Sequence, residues 1–530
     1  MQHKLHVFFV CVTGIFVTVF DTSSAIVALP TIALELGTDL PTAQWVIIGN
    51  SLTIAALLVP LGRLSDSVGR KRIYVVGCCL FSAGALLAAL AGGIGALIAA
   101  RIFVGIGSAM TQSTAMALLI SSYEADERAK VLGWQMGGVG LGAIAGPATG
   151  GIIVGTVGWR ALFAITAVAM IVIALAAQLI LRRRAERPRS SMPPFDFRGA
   201  ALFSSLLAAS LLTLTLAPRF GWTGPYALAG YAAVAVLGWT FIRAERRHPA
   251  PMMDLRLFRV GAFGLGALSA VIAFMGVSST RFLTPFFLQG VKGFDPSGVG
   301  LLMLPAAAVT AVAGPLINRF ADRFGVRLFA NAGIGIALLG LLQFARLDTS
   351  SPVWAVVAAL MTMALGLATF SASNSTLMLN AVDAGSHGFA SGFVNLCRNT
   401  GNVIGIAFAT AMVALTMSRA GYVATVGDLG PAADGGTLEA FTRGIRAAAG
   451  ALLLLTAALW VALLTWSRRS GAGRSEAVRA GEARSGVRRA AASSAGEIPA
   501  AANPRQAAPS ADDRATGRRS SDSGAKSPPA

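Results

Sequence analysis

The sequence predicts an all-α protein that crosses a membrane fourteen times. The chain of 530 residues is 55% hydrophobic and only 13% charged. Its apolar residues fall into runs of about twenty, the length that spans a bilayer as a helix. The predicted spanning segments are roughly 6–30, 42–62, 73–93, 97–120, 131–155, 159–181, 198–217, 225–243, 262–290, 298–319, 328–346, 353–378, 388–418 and 446–467.

The distribution of basic residues predicts the orientation in the membrane. A net charge of +19 is compatible with nucleic-acid binding, but Lys and Arg lie mainly between apolar runs and in the C-terminal region. That placement favours topology and contact with anionic lipid headgroups, and we expect no nucleic-acid partner. The basic loops 63–72, 182–198, 243–259 and 319–327 each follow an even-numbered segment, so all four lie on the same side of the membrane. The positive-inside rule therefore predicts that both termini are cytoplasmic. The first apolar run lacks a small-residue cleavage site, so we expect it to be retained as a spanning helix.

The first spanning segment contains one acid, Asp21, in FDTSSAIVALP. Counting 1.5 Å per residue from the cytoplasmic end places it somewhat past the middle of the membrane. An ionisable residue at that depth is costly and is usually functional. The alternative is a structural acid satisfied by a neighbouring hydroxyl group or helix.

The second and third segments are joined by GRLSDSVGRKR, in which one acid stands among basic residues. The positions of interest are Gly62, Asp66, Gly69, Arg70 and Arg72. A topology anchor at a membrane exit is the simplest interpretation of such a cluster. An imperfect echo, GPLINRFADRFGVR, follows the tenth segment. Two copies of one loop signature indicate a duplicated six-helix unit.

The fourth segment carries Arg101, followed by Gly105 and Gly107. A guanidinium group inside the membrane requires protein partners or a water-filled cavity. Because Arg101 lies only a few residues into the segment, a side chain that snorkels to the interface is the alternative.

The fifth segment has glycines at 138, 142, 146 and 150, a spacing of four residues that places them in one row along a helix. Such a row lets a neighbouring backbone approach closely. Pro147 within the row has no N–H group and favours a kink. Packing between helices is the simplest interpretation of the row.

Several of these segments resemble signatures of the major facilitator superfamily, and in particular of its fourteen-spanner drug:proton antiporters. The fifth segment resembles the antiporter motif, and every fixed position of that motif is filled. These positions are Gly133, Gly142, Gly146, Pro147, Gly150 and Gly151. Asp21 and its surroundings resemble the first-helix signature, although Ser23 and Ile26 stand where the family usually has threonine and asparagine. The loop at 62–72 resembles the cytoplasmic signature, and the segment around Arg101 resembles the fourth-helix signature.

The resemblance implies a major facilitator fold of two six-helix bundles plus two linking helices. The expected boundaries are 1–181, 182–259 for the linking helices, 260–467, and 468–530 for a disordered cytoplasmic tail. It also implies that Asp21 and Arg101 take part in proton coupling or substrate binding. Asp66 would latch the outward-facing state by pairing with the other half, and the glycine row would seal the outward-closed state.

Two further arginines have open roles. Arg281, in the ninth segment, could meet an anionic substrate or pair with Asp21, but the outer headgroup level is the favoured position. Arg398, at the start of the thirteenth segment, is predicted to be a cytoplasmic-end anchor.

Other classes of protein are disfavoured. The sequence has no P-loop GxxxxGK[ST], no zinc-ligand spacing and no nucleophile elbow. Its cysteines lie in apolar segments, so we expect them to pack as small apolar side chains. We therefore expect no enzyme, no catalytic or metal site and no cofactor beyond the proton gradient. The predicted function is proton-coupled export of drugs or other amphipathic small molecules across the cytoplasmic membrane, by a monomer unless shown otherwise. The alternatives are a dedicated exporter of one metabolite and, less favoured, a transport-dead sensor or scaffold.

Overall fold

The computed structural model describes residues 2–124, 127–181, 196–221, 223–247, 261–382, 387–423, 425–429 and 434–494. Within these ranges the regular structure is helical. The helices are α1 Gln2–Glu35, α2 Leu40–Ala43, α3 Trp45–Val68, α4 Arg70–Ala89, α5 Ile94–Ser122, α6 Arg128–Thr156, α7 Trp159–Ile180, α8 Phe197–Phe220, α9 Pro225–Arg247, α10 Gly261–Phe286, α11 Pro296–Phe324, α12 Val326–Phe344, α13 Val353–Leu379, α14 His387–Arg419 and α15 Gly435–Ser494. A π-helical turn, Phe287–Val291, extends α10.

Fourteen helical segments in the described residues are long and apolar enough to cross a membrane, as the sequence predicts. The short helix α2 and α3 together form the second of them. We call the membrane face where α1 begins the near face, and the face where α1 ends the far face. Most of the basic loops 182–198 and 243–259 lie outside the described residues.

The two copies of the loop signature share one local geometry. The segment predicted as a loop at 63–72 is almost entirely helical, because α3 continues to Val68 and α4 begins at Arg70. Only Gly69 interrupts the helices, at φ 109°, and Gly325 does the same between α11 and α12 at φ 102°. Both glycines donate a backbone hydrogen bond to the residue four positions earlier. A positive φ is accessible to glycine without the steric cost that a Cβ would impose. The duplication predicted from sequence is therefore visible in the backbone.

The last helix differs from the expectation of a disordered tail from residue 468. Its membrane-spanning part is Gly435–Thr465, and the helix continues to Ser494. Alanine, arginine and glutamate dominate residues 474–492, and all three have high helix propensity. Residues 495–530 lie outside the described part.

The apolar core shows how the two halves meet. One cluster joins the C-terminal half to the far-face part of the N-terminal half, with Ile32 and Trp159 on one side and Phe286 on the other. Near the opposite face, the N-terminal half has a separate cluster made of residues between Val7 and Leu181. Among the described residues, the two halves therefore share a core at the far face and have separate cores near the other face.

Candidate functional site

Asp21 and Arg101 form an ion pair in the interior of the N-terminal half. Arg101 Nη2 lies 2.7 Å from Asp21 Oδ2, and both side chains are at most 1% exposed. This burial excludes the alternative in which Arg101 snorkels to the interface. Asp21 therefore pairs with Arg101, and no ion pair between Asp21 and Arg281, the other candidate partner, is present among the described residues.

The pair joins α1 and α5, and residues of α3 and α7 contact it. Thr166 Oγ1 of α7 donates a long hydrogen bond of 3.4 Å to Asp21 Oδ1. Arg101 Nε donates to the carbonyl of Val46 at 3.4 Å, and the guanidinium lies over the Phe163 ring at 5.2 Å. The Asp21–Arg101 N–O distance is short, but Asp21 Oδ2 and Arg101 Nη1 and Nη2 make no hydrogen bond among the described residues. The pair is therefore held mainly by charge attraction.

Small residues allow α5 to carry Arg101 into this position. A methyl group added at Gly105 would lie 2.7 Å from Thr53 Cβ and 2.8 Å from the carbonyl oxygen of Asn50. The backbones of α3 and α5 are thus in close contact one turn beyond Arg101. A larger side chain at position 105 would push α5 away from α3 and disturb the pair.

The glycine row of α6 contacts α1 within the same half. A methyl group on Gly142 would lie 2.9 Å from the Phe16 carbonyl oxygen, and one on Gly146 would lie 2.6 Å from Ser23 Cβ. Gly138 and Gly150 meet α1 in the same way. The close backbone approach predicted from the spacing is confirmed. The contact lies between two helices of one half.

A second face of α6 contacts the other half. Gly151 meets the backbone of Pro296 and Gly300 at the start of α11, and Gly300 in turn meets the carbonyl of Pro147. Ser297 Oγ donates to the Gly151 carbonyl at 3.4 Å. Within the antiporter motif, therefore, Pro147 and Gly151 contact the opposite half, whereas Gly142, Gly146 and Gly150 contact α1. Gly133 lies in the first turns of α6.

The π-helical turn after α10 supplies a contact that the sequence did not reveal. Gln289 Nε2 donates to the Val27 carbonyl at 3.0 Å, and Thr31 Oγ1 donates to Gln289 Oε1 at 3.2 Å. Asp39 and Thr425 also form an antiparallel β-bridge between the halves. These bonds close the molecule at the far face. No sequence signal we recognised marks Gln289, since π-helical turns have no simple pattern.

The signature around Asp66 forms contacts within its own half. Arg70 Nη2 donates to Asp66 Oδ1 at 2.8 Å, and Arg70 Nη1 donates to the Ala117 carbonyl of α5 at 3.1 Å. Gly62 packs on Ser113 of α5, and Arg72 is exposed. The expected contact of Asp66 with the other half would belong to a different conformation. It stays a prediction.

Comparison with known proteins identifies the family. The family model described as the Major Facilitator Superfamily matches residues 11–406. This chain belongs to the major facilitator superfamily. It is 32% identical over 407 residues to the multidrug resistance protein Stp of Mycobacterium tuberculosis, covering 76% of this chain and 75% of that protein. It is 27% identical over 419 residues to the riboflavin transporter RibZ of Clostridioides difficile, covering 79% and 90% respectively.

A solved structure agrees with this fold. A bacterial homologue of the human lysosomal transporter Spinster, in an inward-facing and unoccupied conformation, superposes with a TM-score of 0.64. The match is 17% identical and covers 87% of this chain and 97% of that one. The fold of this chain is therefore that of major facilitator transporters.

Proposed function

We propose that this chain is a proton-driven exporter of drugs or other amphipathic small molecules, located in the cytoplasmic membrane with both termini in the cytoplasm. Family membership and the similarity to Stp support export. The orientation is supported by the basic residues at the near face, including Arg63, Arg70, Lys71 and Arg72. The near face is then cytoplasmic, and the structure corresponds to a state that is closed to the exterior.

The observation that carries the proposal is the buried Asp21–Arg101 pair. An ionised carboxylate at zero exposure depends on its partner, because its desolvation is otherwise costly. Protonation of Asp21 removes the attraction that holds α1, α5 and α7 around the pair. A proton can therefore change the packing of the same helix, α1, that contacts both the glycine row and Gln289.

The cycle follows from this coupling. In the present state, substrate enters from the cytoplasm while Asp21 is ionised and paired. Opening to the exterior separates Gln289 from α1 and α6 from α11, and Asp21 then takes a proton from the more acidic exterior, which favours substrate release. After the return, the proton leaves to the cytoplasm. One pH unit contributes about 1.4 kcal/mol and 100 mV about 2.3 kcal/mol per proton.

The test uses purified protein in proteoliposomes that contain a pH-sensitive dye. Addition of a transported drug should release protons from the lumen at a rate that depends on the imposed pH gradient. Asp21→Asn should abolish this proton movement while the variant is still inserted and monodisperse. Asp348→Asn, in an exposed loop, is the matched control and should behave as wild type. Proton-coupled transport by Asp21→Asn at the wild-type rate contradicts the proposal.

A second candidate is a transporter dedicated to one metabolite. The similarity to RibZ, which is named for a single compound, favours it. Expression in a host lacking its own efflux pumps separates the two functions. Raised resistance to several chemically unrelated drugs, lost when an uncoupler is added, supports the multidrug function. If expression raises resistance to no drug in a broad panel, the result supports the transporter dedicated to one metabolite.

A further inference from the structure

We propose that Arg281 and Arg398 form a path for the acid group of an anionic substrate through the C-terminal half. This inference rests on the proposed export function and names its substrate class. The ligands would be organic anions that carry a carboxylate, a sulfonate or an acidic phenol on an amphipathic frame.

Arg281 lies at the same depth as Asp21. Gln289 contacts Val27 and Thr31, and α1 and α10 both run from the near face to the far face. Arg281 precedes Gln289 by eight residues. Asp21 precedes Val27 by six residues and Thr31 by ten. Arg281 therefore lies well inside its spanning helix, about two turns before the far-face contact at Gln289 and away from the outer headgroups.

Arg398 lies closer to the cytoplasm along the adjacent helix. Gly401 meets α10 at Val271 and Phe274, and Gly405 meets it at Met275. Arg398 precedes Gly401 by three residues, so it lies on the α10 side of α14, level with residues just before Val271. At 1.5 Å per residue, about 17 Å of depth separates the two arginines.

Among the described residues, neither guanidinium group has an acidic partner. Both side chains are partly buried, and no ion pair between described residues involves either of them. In the described spanning segments, Asp21 is the one acid more than two turns from a helix end, and it is paired with Arg101. In the part of the chain that the structure describes, the interior of the C-terminal half thus carries two arginines without a counter-charge.

A charge inside a membrane protein must face water, a counter-charge or a ligand. The uncompensated pair repels cations and attracts anions, and the planar fork of arginine matches a carboxylate or sulfonate with two parallel hydrogen bonds. Arg398, nearer the cytoplasm, would meet the anion first. Arg281 would then hold it at about the depth of the Asp21–Arg101 pair.

The experiment compares two dyes that share a xanthene frame and differ in charge, anionic fluorescein and cationic rhodamine 123. Fluorescence anisotropy at pH 8 measures their binding to the full-length protein in detergent. We expect fluorescein to bind at least ten-fold more tightly than rhodamine 123. Arg281→Gln should weaken fluorescein at least ten-fold and Arg398→Gln at least three-fold. Arg281→Lys, which keeps the charge, should recover part of the loss.

Arg446→Gln is the matched control, because Arg446 is an exposed arginine of α15 that donates to the Ala345 carbonyl. It should bind fluorescein as wild type does. The inference is overturned if the wild-type protein does not bind fluorescein, or binds rhodamine 123 as tightly as fluorescein or more tightly. It is also overturned if Arg281→Gln and Arg398→Gln both bind fluorescein with wild-type affinity.

Transport assays separate this inference from the proposed function. Proton-driven transport of rhodamine 123 that is unaffected by Arg281→Gln retains the exporter and overturns the anion path. The opposite result is also possible. If Arg281→Gln loses fluorescein binding but the wild-type protein transports neither dye under a proton gradient, the anion path is retained and proton-driven export is overturned.

Discussion

Gln289 of the C-terminal half binds Val27 of α1, six residues beyond the acid that pairs with Arg101. One helix, α1, therefore carries both the buried ion pair and the bond that closes the far face. A change in the ionisation of Asp21 has a short structural route to that closure.

The first prediction concerns this bond. Gln289→Ala removes two hydrogen bonds, each contributing about 0.5–1.5 kcal/mol. The equilibrium should move toward the outward-open state by about five- to a hundred-fold, because the bonds exist only when the far face is closed. Distances between spin labels on the far ends of α6 and α11 measure the shift. Gln343→Ala, at an exposed glutamine of α12, is the control, and an identical distance distribution in both variants contradicts the prediction.

The second prediction separates the two faces of α6. Gly151→Leu places a side chain against Pro296 and Gly300 of the opposite half, so its cost of about 1–3 kcal/mol falls on the closed state. The protein should fold but remain outward-open, or leak protons in proteoliposomes. Normal closure in the same spin-label experiment argues against this role.

The third prediction concerns the other face. Gly146→Leu should lower the yield of folded protein, because its contact with α1 lies within one half and persists while the halves move. Gly137 has open space around its Cα, so Gly137→Leu controls for the added apolar surface and should keep its yield. Wild-type yield of Gly146→Leu together with a proton leak would restore the idea that the glycine row itself seals the molecule.

The fourth prediction tests the Asp21–Arg101 pair by thermal unfolding in detergent. Arg101→Gln leaves a buried carboxylate without its partner, a change that typically costs about 3–5 kcal/mol. The double variant Asp21→Asn/Arg101→Gln should recover much of this loss, because no unpaired charge remains, yet it should not couple transport to protons. Additive losses in the double variant would show that the two groups do not interact.

The fifth prediction concerns Asp66. Its pair with Arg70 is partly exposed, so Asp66→Asn should cost no more than about 1 kcal/mol of stability. If Asp66 latches the outward-facing state, transport should nevertheless slow and cysteine labelling should report a changed ratio of the two states. Glu439→Gln removes a comparable exposed pair, with Arg443, and should leave the ratio unchanged. An unchanged ratio in Asp66→Asn as well would remove the latch.

The sequence predicts the number of helices well, because apolar runs of membrane length have few other uses. It also identifies Asp21 and Arg101, since charged residues stand out against an apolar background. It does not predict which helix each glycine contacts. Residues 142 and 151 differ by nine positions, which places them on opposite faces of α6, but the helix that packs on each face is known only from the tertiary structure. The same limit applies to Arg281, because its depth becomes known only from the contact of Gln289 with the N-terminal half.

Helix α8 contacts α3 of one half and α14 of the other, and Ser204 Oγ donates to the Ala56 carbonyl of α3 at 2.9 Å. A helix that lies along one seam cannot follow both halves when they rock. If α8 stays bound to α3, it would slide along α14 as the halves move. It would then cover the seam between α3 and α14 in every state. The opposite seam, between α6 and α11, where Gly140 and Ala311 meet, has no such cover from α8 and would be the side open to compounds dissolved in the bilayer.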